Sequence, residues 1–175
     1  MDRLWSPWRL EYVAGEKPDA GCVFCEAPRL RAGAAAQAGP PQPDSLIVFE
    51  GVTAYVILNK YPYNNGHLMA VPYRHVDSLS ALRPEELQEL ALLTQRSEEA
   101  LLQAYRPQGI NVGINLGRAA GAGILEHIHV HAVPRWTGDS NFMTAIGQTR
   151  VLPEDLESSA KKLRPIFERL AVRAG

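Results

Sequence analysis

Three of the five histidines in this chain alternate with apolar residues over five consecutive positions, His127-Ile128-His129-Val130-His131. In an extended strand, alternate side chains point to the same face. We therefore predict a strand that presents three imidazoles on one side and directs its apolar residues to the core. Imidazole can ligate a metal, transfer a proton or accept a phosphoryl group near neutral pH. This strand is the predicted active site.

Two chemistries compete for the three imidazoles. One is a catalytic zinc, but same-face positions along one strand lie about 6–7 Å apart, which suits at most two of them as joint ligands. The other is nucleophilic catalysis, in which one imidazole attacks phosphorus while its neighbours orient the phosphate oxygens. Just upstream, Gly121-Ala122-Gly123 can bring backbone N–H groups close to an anion. A glycine-rich loop leading into the histidines favours the second chemistry.

The two cysteines, Cys22 and Cys25, leave three interpretations open. They could be small buried residues, a redox pair or half of a zinc site. No βαβ pattern frames them, which disfavours a thioredoxin-like role. Spacing alone does not separate zinc from simple burial, because no further ligands lie nearby in the sequence.

Composition narrows the class of protein. The chain has 175 residues, of which 46% are hydrophobic and 21% charged, and its net charge is -1. These values are ordinary for one soluble domain and leave no broad basic surface, so we expect no nucleic-acid partner. We see no run long enough to span a membrane and no apolar signal core at the N-terminus, so we expect no membrane partner and a cytoplasmic location.

The chain is predicted to form one domain over residues 1–175, with the element order β-β-β-α-β-β-α. Short links between most strands favour an antiparallel sheet with two helices packed on it, an α+β fold. Strands are predicted over residues 46–49, 54–59, 67–71, 110–116 and 126–134, and helices from Pro84 and from Pro153. Residues 1–26 would form an arm that carries two tryptophans and the cysteines, 27–44 a flexible loop, 45–146 the catalytic core and 147–175 the C-terminal helix region.

Several segments together resemble the histidine triad (HIT) family of nucleotide-binding enzymes. They are the histidine strand, Asn115-Leu116-Gly117, Gly66-His67 leading into Val71-Pro72, and the cysteine segment. Residues 134–143 and the Trp-Ser-Pro-Trp-Arg arm resemble a bacterial branch similar to diadenosine tetraphosphate phosphorylases. The resemblance implies a homodimer whose sheets join into one. It also implies nucleotidyl transfer at an α-phosphate through a covalent nucleotidyl-histidine.

The resemblance also implies a role for each site residue. His129 would be the nucleophile, His131 would hydrogen-bond the phosphate or leaving oxygen, and His67 would lie behind the site and support the nucleophilic ring. Substrate would be bound at the ribose by Asn59, at the base by Phe24, Ile47 and Ile57, and at the phosphates by Asn115 and Gly123. Magnesium could accompany the nucleotide.

A structural zinc is implied as well, in a closed set of Cys22, Cys25, His75 and His127. One position departs from the family pattern: Ile124 stands where many members have a serine or threonine that can donate a hydrogen bond. Phosphate binding would then depend on backbone amides or on Arg9, Lys60 or Arg118. These three cationic residues, with Arg135, are also candidates to hold a second anion.

The expected reaction is phosphorolysis of diadenosine tetraphosphate to ADP and ATP. Three alternatives stay open from the sequence: hydrolysis of a dinucleoside polyphosphate, a nucleotide-binding regulator with vestigial activity, and a zinc-dependent hydrolase that uses the histidines as ligands. A covalent nucleotidyl-histidine can be discharged by phosphate or by water, so the histidine pattern does not choose the acceptor.

Overall fold

A five-stranded antiparallel sheet and three helices make up the computed structural model, which describes residues 21–36, 46–139 and 154–172. The strands run in the order β1-β2-β3-β5-β4 across the sheet. Their bounds are β1 Ile47–Glu50, β2 Ala54–Leu58, β3 Leu68–Pro72, β4 Gly109–Ile114 and β5 Val130–Arg135. The helices are α1 Val23–Ala36, α2 Pro84–Tyr105 and α3 Leu156–Val172. The predicted α+β class and the five-stranded antiparallel sheet are confirmed.

Two faces of the sheet carry different clusters. Alternate residues of β2 point to opposite sides, so Val56 belongs to the main core under α2 and α3, whereas Tyr55 and Ile57 belong to a smaller cluster on the other face. Phe24 of α1 packs into that smaller cluster. The helices α2 and α3 thus cover one face, and the other face is left to the histidines and α1.

The helix α1 differs from the prediction. Residues 27–36, assigned to the flexible loop 27–44, continue a helix that begins directly after Cys22. The alanines of this segment favour helix strongly enough to accommodate Pro28 and Gly33. The described ranges therefore hold three helices where two were predicted. The arm 1–20 and the predicted start of the last helix at Pro153 lie outside the described residues.

The histidine strand is shorter than predicted. Its ladder with β3 spans only Val130, His131 and Ala132, so His127 and His129 precede β5. The backbone there turns to other partners: the N–H of Ile128 donates to the carbonyl of Val76 at 2.6 Å. Both histidines are nonetheless buried, with 0% and 5% of their surface exposed.

Helix α2 is anchored to the sheet by carboxylates. Glu89 accepts hydrogen bonds from the backbone N–H groups of Val52, Thr53 and Ala54, and so caps the β1–β2 turn. Glu86 caps the start of the helix through the N–H of Arg83 at 2.8 Å.

No helix within the described ranges is both long and apolar enough to cross a membrane.

Candidate active site and metal centre

Four residues from three separate segments bring their ligand atoms together. Cys22 and Cys25 lie at the start of α1, His75 follows β3, and His127 precedes β5; their sulfur and nitrogen atoms all lie within 4.8 Å of one another. The Nδ1 atom of His127 is 3.2 Å from the sulfur of Cys22 and 3.6 Å from that of Cys25. The Nδ1 atom of His75 is 3.4 Å from the sulfur of Cys25.

The protonation of His127 suits a metal ligand. Its Nε2 lies 2.8 Å from the carbonyl oxygen of Pro72. Because a carbonyl only accepts, Nε2 carries the proton and the lone pair of Nδ1 faces the two sulfurs. Burial lowers the pKa of His127, so the ring stays neutral. A ligating histidine whose other N–H is held by a carbonyl is the usual arrangement around zinc.

The thiols also fit a divalent cation. Burial raises the pKa of Cys25, and the adjacent Cys22 raises it further. Two thiolates side by side would repel each other unless a cation lay between them. Two sulfurs and two imidazole nitrogens form a complete tetrahedral zinc set, and ligand atoms in such a site lie about 3–4 Å apart. The donor set therefore fits a closed zinc site.

The tautomer of His129 leaves a free lone pair for chemistry. Its Nδ1 lies 2.8 Å from the backbone oxygen of His127 and must donate to it, so Nε2 is unprotonated. Burial lowers the pKa of His129 and keeps the imidazole neutral. The ring of Phe24 packs against it with centroids 4.9 Å apart. A neutral, oriented imidazole with a bare Nε2 is a competent nucleophile.

His131 carries its proton on Nε2, whereas His129 carries it on Nδ1. The backbone N–H of Tyr63 donates to Nδ1 of His67 at 3.2 Å, so His67 carries its proton on Nε2. That Nε2 lies 3.0 Å from Nδ1 of His131, which accepts, and the His131 proton is then on its own Nε2. His129 and His131 therefore present a bare nitrogen and an N–H from rings whose centroids are 4.7 Å apart.

His67 contacts the neighbour of the predicted nucleophile. It was predicted to lie behind the site and support the nucleophilic ring, and its Nε2 lies 3.0 Å from Nδ1 of His131; direct support of His129 stays a prediction. The ring of Tyr63 stacks on that of His67, with centroids 4.9 Å apart. Tyr63 was missed because its contribution includes a backbone N–H, which any residue type except proline could supply.

The residues predicted to hold the base do come together. Phe24, Ile47 and Ile57 share the smaller apolar cluster and are 3%, 1% and 8% exposed. Ile124 packs against the same cluster. Its departure from the family pattern thus has a physical use: the side chain adds apolar surface beside the predicted base site.

The other predicted substrate residues are placed less directly. Asn59 follows β2, and its backbone N–H donates to the carbonyl of His67 at 2.9 Å, which puts it beside that histidine. Its side-chain oxygen accepts from the N–H of Tyr61 at 2.9 Å. Lys60 is exposed, with its ammonium 5.9 Å from the Tyr61 ring centre. Asn115 and Gly123 are half-buried. Their contacts with substrate stay predictions.

Arg135 is exposed but is bonded by two other side chains of the protein. It forms a two-pronged ion pair with Asp139, through Nε at 2.6 Å and an Nη at 2.9 Å, and also donates to the side chain of Asn111 at 3.1 Å. Three of its five N–H donors are thus used within the protein, and the role of Arg135 in holding a second anion stays a prediction. Asp139 was not identified from the sequence, because only the folded chain brings its hydrogen-bond partners together.

The fold and the site together consist of a five-stranded antiparallel sheet that carries two neighbouring, differently protonated histidines beside a buried apolar cluster. The family model described as HIT domain matches residues 41–138. The chain belongs to the HIT family.

Curated relatives and solved structures agree with this assignment. The chain is 41% identical to a Mycobacterium tuberculosis protein named AP-4-A phosphorylase, over 97% of this chain and 86% of that one. It is 29% identical to a bis(5'-adenosyl)-triphosphatase from Dictyostelium discoideum, over 71% of this chain and 87% of that one. A zinc-bound histidine triad family protein from Mycobacterium smegmatis superposes with a TM-score of 0.63 at 28% identity, covering 87% of this chain and 97% of its own.

Proposed function

We propose that this protein splits diadenosine tetraphosphate by phosphorolysis, with His129 as the covalent nucleophile. The observation that carries the proposal is the complementary protonation of the two histidines: a bare Nε2 on His129 beside an N–H on His131. The 41% identity with a protein named AP-4-A phosphorylase supports this substrate.

The chemistry proceeds in two displacements. The Nε2 of His129 attacks the α-phosphorus of one adenylate, and the bond from that phosphorus to the bridging oxygen breaks, releasing ATP. The Nε2–H of His131 donates a hydrogen bond to the departing oxygen and so stabilises the negative charge that develops on it. Inorganic phosphate then attacks the adenylyl-histidine, the P–N bond breaks, and ADP leaves with His129 restored.

The apolar cluster would bind the base. An adenine packed among Phe24, Ile47 and Ile57 would place its own phosphate near His129, because Phe24 contacts that imidazole directly. The side chain of Asn59 would meet the ribose hydroxyls. Asn115 and Gly123 would meet the phosphate oxygens, and with Ile124 unable to donate, backbone amides carry more of that contact.

We also propose that Cys22, Cys25, His75 and His127 hold one structural zinc. With all four positions filled by protein there is no open site for substrate, so the metal would contribute folding stability and not Lewis-acid catalysis. The zinc-bound histidine triad protein supports the assignment. His127 is used in this set, and Nδ1 of His129 is occupied by a carbonyl. A catalytic zinc held by all three alternating histidines is therefore disfavoured.

A homodimer and a cytoplasmic location complete the proposal. Within the described sheet, β4 pairs with β5 on one side and forms an edge on the other. Val112 in β4 and Leu116 just after it are 52% and 44% exposed, which suits pairing of this edge with the same edge of a second copy. Neither cysteine is in a disulfide, as is usual in a reducing compartment.

The decisive experiment is incubation with diadenosine tetraphosphate and Mg²⁺, with and without inorganic phosphate. We expect ADP and ATP, formed only when phosphate is added. The triphosphatase relative favours a second candidate, hydrolysis, which would yield AMP and ATP. AMP formed at the same rate in phosphate-free buffer would overturn phosphorolysis and leave the histidine mechanism intact.

A further inference from the structure

The turn before β3 is tied to the end of β5 by one buried amide. Asn64 is only 7% exposed. Its Nδ2 donates to the backbone oxygen of Pro134 at 2.8 Å and to the carboxylate of Asp139 at 2.7 Å. A carboxamide nitrogen has two protons, so both bonds can form at once. The amide thus bridges two segments that are 70 residues or more apart in the chain.

Asp139 is in turn held rigidly. The same carboxylate receives the two-pronged Arg135 guanidinium and the backbone N–H of Trp136 at 3.3 Å. These donors, first among them Arg135, hold the pKa of Asp139 well below its usual range, so it is charged near neutral pH. We call Asn64, Arg135 and Asp139 the turn clamp.

The turn clamp lies next to the hydrogen bond between His67 and His131. On one side, Asn64 lies between Tyr63 and His67 in the sequence, and the N–H of Tyr63 fixes the tautomer of His67. On the other side, Pro134 lies three residues after His131 in the same strand. The ladder between β3 and β5 covers three residue pairs, of which Leu68 with Ala132 comes nearest to the turn. Beyond it, the amide of Asn64 joins the two segments again.

We propose that Asn64 and Asp139 are positioning residues that hold His67 against His131 and keep the His131 Nε2 proton directed at the leaving oxygen. They act on bond cleavage through the histidines and not on nucleotide binding. The expected effect on bond cleavage rests on the proposed function. A hydrogen bond weakens steeply as its angle departs from linear, so loosening the turn misdirects His131 without removing it.

The test compares two variants with a matched control. Asn64→Asp keeps the size of the side chain but removes both donors, and Asp139→Asn removes the charge that Arg135 and Asn64 share. The control is Glu89→Gln, which makes the same carboxylate-to-amide change at another half-buried, multiply bonded site. Glu89 lies at the opposite end of the β2–β3 hairpin from Asn64.

Two measurements separate positioning from general stability. The first is the rate of adenylyl-enzyme formation from diadenosine tetraphosphate in a single turnover, together with the nucleotide dissociation constant. We expect each turn-clamp variant to slow cleavage by about tenfold to a hundredfold, as small displacements of a catalytic group do, with affinity within about threefold. The control should keep the wild-type rate even if it melts at a lower temperature.

The second measurement is the ¹⁵N spectrum of the imidazoles without substrate. The wild type should show His67 and His131 each protonated at Nε2 and bare at Nδ1, and the turn-clamp variants should show mixed tautomers at His131. Folded turn-clamp variants with wild-type rates and unchanged tautomers would overturn the proposal, as would an equal loss of rate in the control. If Asn64→Asp does not fold, Asp139→Asn gives the answer. If the wild type forms no adenylyl-enzyme, the proposed function fails, and the spectra still decide whether the turn clamp positions His131.

Discussion

Replacing the exposed ligand of the proposed zinc site is the most informative single change. The His75 side chain is 44% exposed, and its ring meets that of His127 edge-on, with centroids 5.1 Å apart. Substituting a surface residue with few contacts normally changes the free energy of unfolding by about 0.5 kcal/mol or less. In His75→Ala, any larger loss of stability is therefore attributable to the metal.

The size of that loss follows from ligand count. Removing even a residue that only orients a metal ligand weakens metal affinity by about 10–100-fold, and removing a ligand itself should do at least as much. With free zinc above both dissociation constants, a hundredfold weaker affinity lowers the free energy of unfolding by about 2.7 kcal/mol. For a domain of this size that corresponds to a fall in melting temperature of about 5–11 °C.

The assay is thermal unfolding of wild type and variant, each with excess zinc and with a chelator, alongside metal analysis of the purified proteins. We expect about one zinc per wild-type chain. The melting temperatures of wild type and variant should differ by about 5–11 °C with excess zinc and by about 2 °C or less with chelator. Glu126→Gln is the control, because its carboxylate lies 4.0 Å from Nε2 of His75, on the side away from the sulfurs, and is 86% exposed. Equal gaps in zinc and in chelator, or a wild type without zinc, would refute the ligand set.

Three further outcomes are expected. His129→Ala should form no adenylyl-enzyme while nucleotide affinity stays within about tenfold in titration, because little ground-state binding is lost; a wild-type rate would exclude covalent catalysis there. Hydrogen bonds from Arg74 lower the pKa of Glu86 to about 2 from 4.5, so the stability from this pair is present above pH 4.5 and lost as pH falls towards 2. In urea unfolding, the difference in the free energy of unfolding between wild type and Glu86→Gln should shrink in acid. A difference that does not depend on pH would contradict the assignment. Gly66→Ala should lower the free energy of unfolding by about 1–3 kcal/mol in the same assay, because φ is +76° and the added methyl would lie 2.6 Å from Tyr105; unchanged stability would contradict this packing.

Local patterns in the sequence predicted most of the sheet. Alternating apolar residues and bounding turn residues placed β1, β2, β3 and β4 within two residues of their observed ends, and Pro84 marked the first residue of α2. These signals depend on neighbours in the chain, so a single sequence carries them. The start of β5 was placed too early, because the N–H of Ile128 donates to the carbonyl of Val76 and the ladder with β3 stops at Val130.

Longer-range features were harder to predict. The four zinc ligands came from the resemblance to the family, since nothing in the spacing of Cys22 and Cys25 points to His75 or His127. The hydrogen bond from His67 to His131 could not be predicted, because the tautomer of His67 is set by the backbone N–H of Tyr63. Alanine-rich residues after Phe24 were taken for a loop on the strength of their glycine and proline content, although alanine is the best helix former.

His127 is committed through three atoms at once: Nε2 to the carbonyl of Pro72, Nδ1 to the cysteine sulfurs, and its backbone oxygen to His129. Among the twenty residues, only histidine combines a ring N–H donor with a second ring nitrogen that can ligate a metal. With the proposed zinc bound, we therefore expect no single substitution at position 127 to be tolerated while the cysteines remain. An engineered form without metal would have to replace Cys22, Cys25 and His127 together, with side chains that fill the same space and leave the carbonyl at 127 in place. The simplest route to a metal-free protein, one substitution at a time, is closed at this point in the chain.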